Sequence, residues 1–170
     1  MKITCLIATF FSVILLMTSG CSKNEPLITE KLQSAFPDDV QTDEIYHAEI
    51  FKNGVLVFFG SNDGLGAAFF KQKSERWEWA AGTGYPSLHP HKGLSAMHSN
   101  REEISLYISY GVITDPEIVE VRAGETKAKM IQTADGTRIW FITYENPLGQ
   151  DGSLPPISGK DHQGHEIITM

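Results

Sequence analysis

The sequence predicts a mainly β domain of the α+β class, with antiparallel sheets built from hairpins and one short N-terminal helix packed on them. Three observations predict it. From Glu44 onward, short apolar runs are punctuated by turn dipeptides, the signature of antiparallel strands. Asn53-Gly54, Asp63-Gly64 and Asp135-Gly136 tolerate the positive φ that tight hairpins demand. Before them, residues 27–36 carry Ile28, Leu32 and Ala35 at helical spacing, until Pro37 stops the pattern.

In chain order, the helix is followed by a loop that begins at Asp38 and Asp39. Asn53-Gly54 then separates a strand at 45–51 from one at 55–59, and Asp63-Gly64 separates that strand from 65–71. Residues 73–75 turn the chain into a fourth strand at 76–80, which completes a meander. Asp135-Gly136 joins 127–133 to 138–144, and Gln163-Gly164 closes a last short hairpin after Pro155-Pro156 has forced an extended segment. Residues 55–59 and 67–70 are apolar on both faces. Their sheet is therefore expected to be covered by the helix on one side and by further strands on the other. Ile104, Leu106, Ile108 and Tyr110 alternate with Ser105, Tyr107 and Ser109, which predicts a strand buried on one face only. Residues 82–100, rich in Gly, Pro, Ser and His, read as an irregular loop. There is no internal repeat at a solenoid period and no low-complexity stretch.

The N-terminus has a different character. Lys2 stands before an apolar run at 3–17 that closes on Thr18, Ser19, Gly20 and Cys21, a secretory signal pattern. Ser19-Gly20-Cys21 resembles the lipobox of bacterial lipoproteins, which implies cleavage before Cys21 and a lipid on its sulfur. The apolar run is about fifteen residues, short of the roughly twenty that span a bilayer. Domain organisation is accordingly expected as a leader at 1–20, a lipidated tether at 21–26 and a single mainly β domain at 27–170.

The two cysteines, Cys5 and Cys21, are both accounted for by this reading, so no thiol is left for a disulfide and stability must come from the core. Loss of Lys2 with the leader makes the charge one unit more negative than the −7 of the whole chain. An acidic surface argues against nucleic acid as a partner and against a basic patch as the means of membrane binding. The expected location is the extracytoplasmic face of the cell membrane, held by the lipid on Cys21.

Two groups of side chains are candidates for binding. His89, His91 and His98 lie in the irregular stretch. In an extended segment His89 and His91 share a face, and His98 folding back would give three imidazoles for zinc or copper capture or sensing. Pro90, and the lack of Cys, Asp or Glu between 82 and 100, leave that coordination incomplete, and solvated loop histidines are the alternative reading. His162 and His165, beside Asp161, are read the same way. Trp77 and Trp79, two apart on a strand, stack both indoles on one face, which Tyr85 could extend. Exposed, that face suits a sugar or a partner's apolar surface; buried, with Glu78 facing solvent, it is core.

Catalytic patterns are incomplete. There is no G-x-S-x-G elbow, and Gly64-Leu65-Gly66 and Gly82-Thr83-Gly84 lack the third glycine and following helix of a dinucleotide loop. His165-Glu166 lacks the second histidine of a zinc protease, and Glu102-Glu103 points to opposite faces of a strand start. The Lys52-Asn53-Gly54 turn, Trp77-Glu78-Trp79, Tyr110-Gly111-Val112-Ile113 and Arg138-Ile139-Trp140-Phe141 look similar to small lipoproteins of Bacillus-type bacteria. That resemblance implies a lipid-tethered extracytoplasmic domain and transfers no catalytic residue. The expected function is a non-catalytic binding or interaction module for an envelope protein or cell-wall component, with metal handling as the alternative and a hydrolytic enzyme less favoured.

Overall fold

The computed structural model describes residues 28–150 and 152–170. The leader expected at 1–20, the tether expected at 21–26 with Cys21, and Leu27 lie outside the described residues. Among the described residues, one α-helix, α1 (Ile28–Gln33), precedes twelve strands. The first sheet is the meander β1 (Glu44–Phe51), β2 (Gly54–Ser61), β3 (Gly64–Lys73) and β4 (Arg76–Gly82), in that order. β5 (Met97–Arg101) and β6 (Leu106–Ile113) join β9 (Lys129–Gln132) and β10 (Arg138–Tyr144) in a second sheet of order β5-β6-β10-β9. β7 (Glu120–Ala123), β8 (Thr126–Lys127), β11 (Ile157–Lys160) and β12 (Glu166–Thr169) form a third, of order β12-β11-β7-β8. Every pairing is antiparallel.

The mainly β fold, the four-stranded meander and the single packed helix are as the sequence predicts. α1 ends at Gln33 and does not reach Phe36. Pro37 disfavours helical geometry at Phe36, and the Phe36 ring instead packs on Phe59, Phe70 and Trp79 at centroid distances of 4.9, 5.1 and 5.4 Å. The first hairpin turns on Lys52 and Asn53, with the positive φ on Lys52 at 51°. Gly54 serves a different purpose there, because a Cβ on it would meet the Phe70 carbonyl oxygen at 2.2 Å.

Three apolar clusters hold the layers together. Leu32 of α1 packs with Val55, Val57, Phe59, Ala68 and Phe70 on the outer face of the first sheet. The other face carries Leu56, Phe58, Ala67 and Phe69, which meet Leu106, Ile108, Tyr110 and Phe141 of the second sheet. The Phe58 and Phe141 rings lie 4.9 Å apart across this interface. The second sheet is in turn covered on its far face, where Trp140 and Ile142 pack with Val121, Ala123 and Ile157 of the third. The order of layers is therefore helix, sheet, sheet, sheet.

Two expectations are corrected by this stacking. β6 is buried on both faces along its whole length. Its polar residues do not mark a solvent face: Ser109 is satisfied internally, and Gly111 admits a close approach of the chain. A Cβ at Gly111 would stand 1.9 Å from the Ser95 carbonyl oxygen, which accepts a hydrogen bond from Trp140 Nε1 at 2.9 Å. The stretch at 82–100 is not irregular throughout. Ser95 N donates to the Val112 carbonyl at 2.9 Å, and β5 follows from Met97, so its end is pinned to β6.

The expected strand at 127–133 is divided. Thr126–Lys127 pair with β7 in the third sheet, and the chain crosses to the second at Ala128, whose N–H donates to the Val121 carbonyl at 2.8 Å. The hairpins at Asp135-Gly136 and Gln163-Gly164 form as expected. In the second of these, Asp161 Oδ1 accepts from the backbone N–H groups of Gln163 and His165, both at 2.8 Å.

Leu32 is fully buried and belongs to the short helix that covers the outer face of the first sheet. Leu32→Ala is expected to cost about 2–5 kcal/mol in urea unfolding; a loss well under 1 kcal/mol would show that α1 is not part of the core.

Candidate functional site

A cleft of about 570 Å3 opens where the β9–β10 turn meets the end of β6 and the chain around His89. Its apolar floor is Leu88, Val112, Ile113 and Pro116, and its polar rim includes His89, Thr114, Gln132, Asp135 and Arg138. Arg138, the first residue of β10, is fixed by the backbone of the turn beside it. Its guanidinium donates to the Ile118 carbonyl at 2.9 Å and to the Asp115 carbonyl. Asp135 is held by the Thr133 hydroxyl, by Thr137 N–H at 3.1 Å and by the Thr137 hydroxyl at 2.9 Å. These bonds, led by that from Thr133, keep its carboxyl below the usual range despite slight burial. The rim thus presents a fixed cation, a fixed anion and neutral hydrogen-bonding groups around an apolar base, an arrangement suited to a polar ligand with an apolar side.

The three histidines at 89, 91 and 98 are not brought together. His89 is exposed on the cleft rim, and His91 is exposed in the following turn. His98 lies on β5, with Nδ1 at 2.7 Å from Ser109 Oγ. Among the described residues, no group of three or more His, Cys, Asp or Glu side chains is placed to hold a metal ion. His165 sits in the β11–β12 turn with Nδ1 3.4 Å from Asp161 Oδ2, and His162 is exposed beside it.

Trp77 and Trp79 share the face of β4 that packs under α1. Trp79 meets Phe70 edge-on at 5.5 Å, and Tyr85 meets Phe59 at 6.1 Å. Burial, followed by Asp63 and Asp39, pushes the Tyr85 phenol above its ordinary pKa. These aromatics complete the core around Leu32, and Glu78 lies on the exposed face, 3.5 Å from Lys73. Trp77 also borders a smaller cleft of about 380 Å3 with Lys31 and Arg76.

Sequence spacing missed the pairing of His98 with Ser109, because the two sit on neighbouring strands eleven residues apart. Its atoms resemble a nucleophile and base. Ser109 is nevertheless 0% exposed, so no substrate atom reaches its hydroxyl. Tyr144 donates to Ser109 Oγ at 3.0 Å, which leaves the serine hydrogen for an unprotonated Nδ1 on His98. Burial pushes the His98 pKa down, consistent with a neutral ring that closes this chain of hydrogen bonds. The set is structural.

A second group joins the first two sheets. Glu49 on β1 accepts from Lys129 Nζ on β9 at 2.5 Å and lies 3.2 Å from His47 Nε2. Burial raises the Glu49 pKa, and the bonds from Lys129 and His47 more than offset it, leaving the carboxyl below its ordinary value. The two partners are eighty residues apart, and no local motif announces them.

Compared with protein-family models, with curated proteins and with solved structures, the chain matches none. The functional reading therefore rests on its own residues.

Because the folded state lowers the His98 pKa, unfolding takes up a proton as pH falls through the ordinary histidine value of about 6.5. The contribution of neutral His98 to stability is present above that value and is lost as pH falls toward the folded one. Between pH 7.5 and pH 5, roughly the range in which only histidines titrate, the Tm of wild type is expected to fall more steeply than that of His98→Gln. Parallel slopes would show that His98 titrates alike in both states.

Proposed function

We propose that this chain is an extracytoplasmic lipoprotein, acylated on Cys21, whose β domain is a non-catalytic module that binds an envelope protein or cell-wall component. The observation that carries the first half is Ser19-Gly20-Cys21 at the end of the apolar run begun after Lys2. A lipid on Cys21 would hold the domain at the membrane surface without a spanning helix. The acidic balance of −7 is compatible with that, since attachment then needs no basic patch.

The second half is supported by the cleft beside Arg138 and Asp135. Both charges are already fixed by hydrogen bonds, so a ligand would meet a preorganised rim, which lowers the cost of binding. Its polar groups provide recognition, and Val112 and Ile113 provide an apolar contact. The buried Ser109 supports a role in binding over one in hydrolysis.

Metabolic labelling of the full chain with a clickable fatty acid tests the anchor. Label is expected on wild type and absent from Cys21→Ala; label persisting in the variant would contradict the assignment. A thermal-shift screen against cell-wall fragments tests the cleft. A fragment present at about a hundred times its Kd adds about 2.7 kcal/mol to stability, and that gain should fall in Gln132→Ala, which alters an exposed rim residue. An undiminished shift in the variant would place binding elsewhere.

A further inference from the structure

Where side chains hold Glu49, Glu78 and Glu120, a cation is among the partners: Lys129, Lys73, and Lys127 with Arg122. Asp135 and Arg138 on the cleft rim are different. Asp135 is held by two hydroxyls and a backbone N–H, and Arg138 by two backbone carbonyls. Among the described residues neither enters an ion pair, with the other or with a third group. The fold thus sets a carboxylate and a guanidinium in one cleft, each positioned by neutral partners and neither neutralised.

The surroundings of each charge keep it available. Asp43 and Glu44 lie with Asp135 around Tyr46, so that part of the rim attracts a cation. Beside Arg138, Asp115 offers its carbonyl, while its carboxylate accepts from the Glu117 N–H at 2.9 Å. Glu117 itself is exposed and unpaired with Arg138. A guanidinium carries more N–H donors than the two that these carbonyls occupy. Donors remain for an incoming carboxylate.

The rest of the lining narrows the choice of ligand. Its floor is aliphatic, and no Phe, Tyr or Trp lines the cleft, so it offers no flat ring on which a sugar would stack. Trp77, Trp79 and Tyr85 are committed to the cluster under α1. At about 570 Å3 the cleft falls within the roughly 300–1,000 Å3 that encloses small ligands. Three residue steps separate Asp135 from Arg138, at most about 11 Å between their Cα atoms. A tripeptide covers a similar length from ammonium to carboxylate.

We infer that the cleft takes a short peptide with free termini, its ammonium on Asp135, its carboxylate on Arg138 and an aliphatic side chain on Val112 and Ile113. This rests on the reading of the cleft as the binding site and adds the class of ligand. Only a ligand that carries both signs neutralises both groups. An amine or a carboxylic acid alone satisfies one of them, and an uncharged glycan satisfies neither.

Isothermal titration calorimetry of the full chain in detergent micelles tests this with the tripeptide alanyl-valyl-alanine. N-acetylation and C-amidation each remove one charge, and each is expected to weaken binding about tenfold. In Asp135→Asn, which keeps a side-chain oxygen for the turn, the free and N-acetylated peptides should bind alike, while amidation still weakens binding. Blocked peptides that bind wild type as tightly as the free one would overturn the inference, as would a free peptide that does not bind. Chitotetraose bound in its place, and weakened by Gln132→Ala, would overturn it while leaving the cleft as the binding site. Peptide binding unaltered by both Gln132→Ala and Asp135→Asn would remove the reading of the cleft itself.

Discussion

The structure depends on one constraint, a meander whose two inner strands are apolar on both faces. Val55, Val57 and Phe59 point one way along β2, and Leu56 and Phe58 the other, all almost fully removed from solvent. Each such side chain contributes about 1.5–3 kcal/mol when buried, and neither face is stable against water. α1 covers one face through Leu32, and the second sheet covers the other. The second sheet inherits the same problem through Trp140 and Ile142, and the third sheet answers it. Stacking stops there because the strands of the third sheet carry charge on their outer side. Glu120 is held between Lys127 at 2.7 Å and Arg122 at 2.6 Å, and those bonds bring its pKa down to about 2.

Polar groups inside the stack are accommodated by pairing. Tyr110, fully buried between the first two sheets, bonds through its hydroxyl to Thr83 and to the Gly84 carbonyl. Ser109 is enclosed by His98 and Tyr144, and Ser95 caps the Val112 N–H at 2.9 Å while its carbonyl takes the Trp140 indole. A buried polar group without a partner costs roughly 1–3 kcal/mol, so these contacts fix register as well as adding stability. Lys129 and Glu49 clamp the β1 and β9 edges of the two sheets in the same way.

The meander was legible because its signals are local: two-residue turns, and strands whose neighbours along the chain are also their neighbours in space. β6 was misread because Ser105, Tyr107 and Ser109, alternating with apolar residues, look like a solvent face in one dimension. In three dimensions Ser109 is a hydrogen-bonding hub, and the face it shares with Tyr107 is covered. Of the third sheet only the hairpin at Gln163-Gly164 was legible, for a related reason. β7, β8, β11 and β12 are two to four residues long, too short for a periodicity to register, and β7 and β11 pair across more than thirty residues. The cleft gathers Leu88, Thr114, Gln132 and Arg138 from separate elements, so it exists only once the sheets are stacked. Of the residues singled out for chemistry, His89 reaches that cleft, while Trp79 and Tyr85 are recruited into the core by Phe36, Phe59 and Phe70.

If the doubly covered meander is the foundation on which the other layers rest, resistance to opening should be graded from it outward. Native-state hydrogen exchange measures this directly. The amides of β2 and β3 are expected to exchange only through global unfolding, with those of β6 and β10 close behind, while the short strands β7, β8, β11 and β12 open at lower free energy. Third-sheet amides protected as strongly as those of β2 and β3, with the meander opening first, would contradict the account.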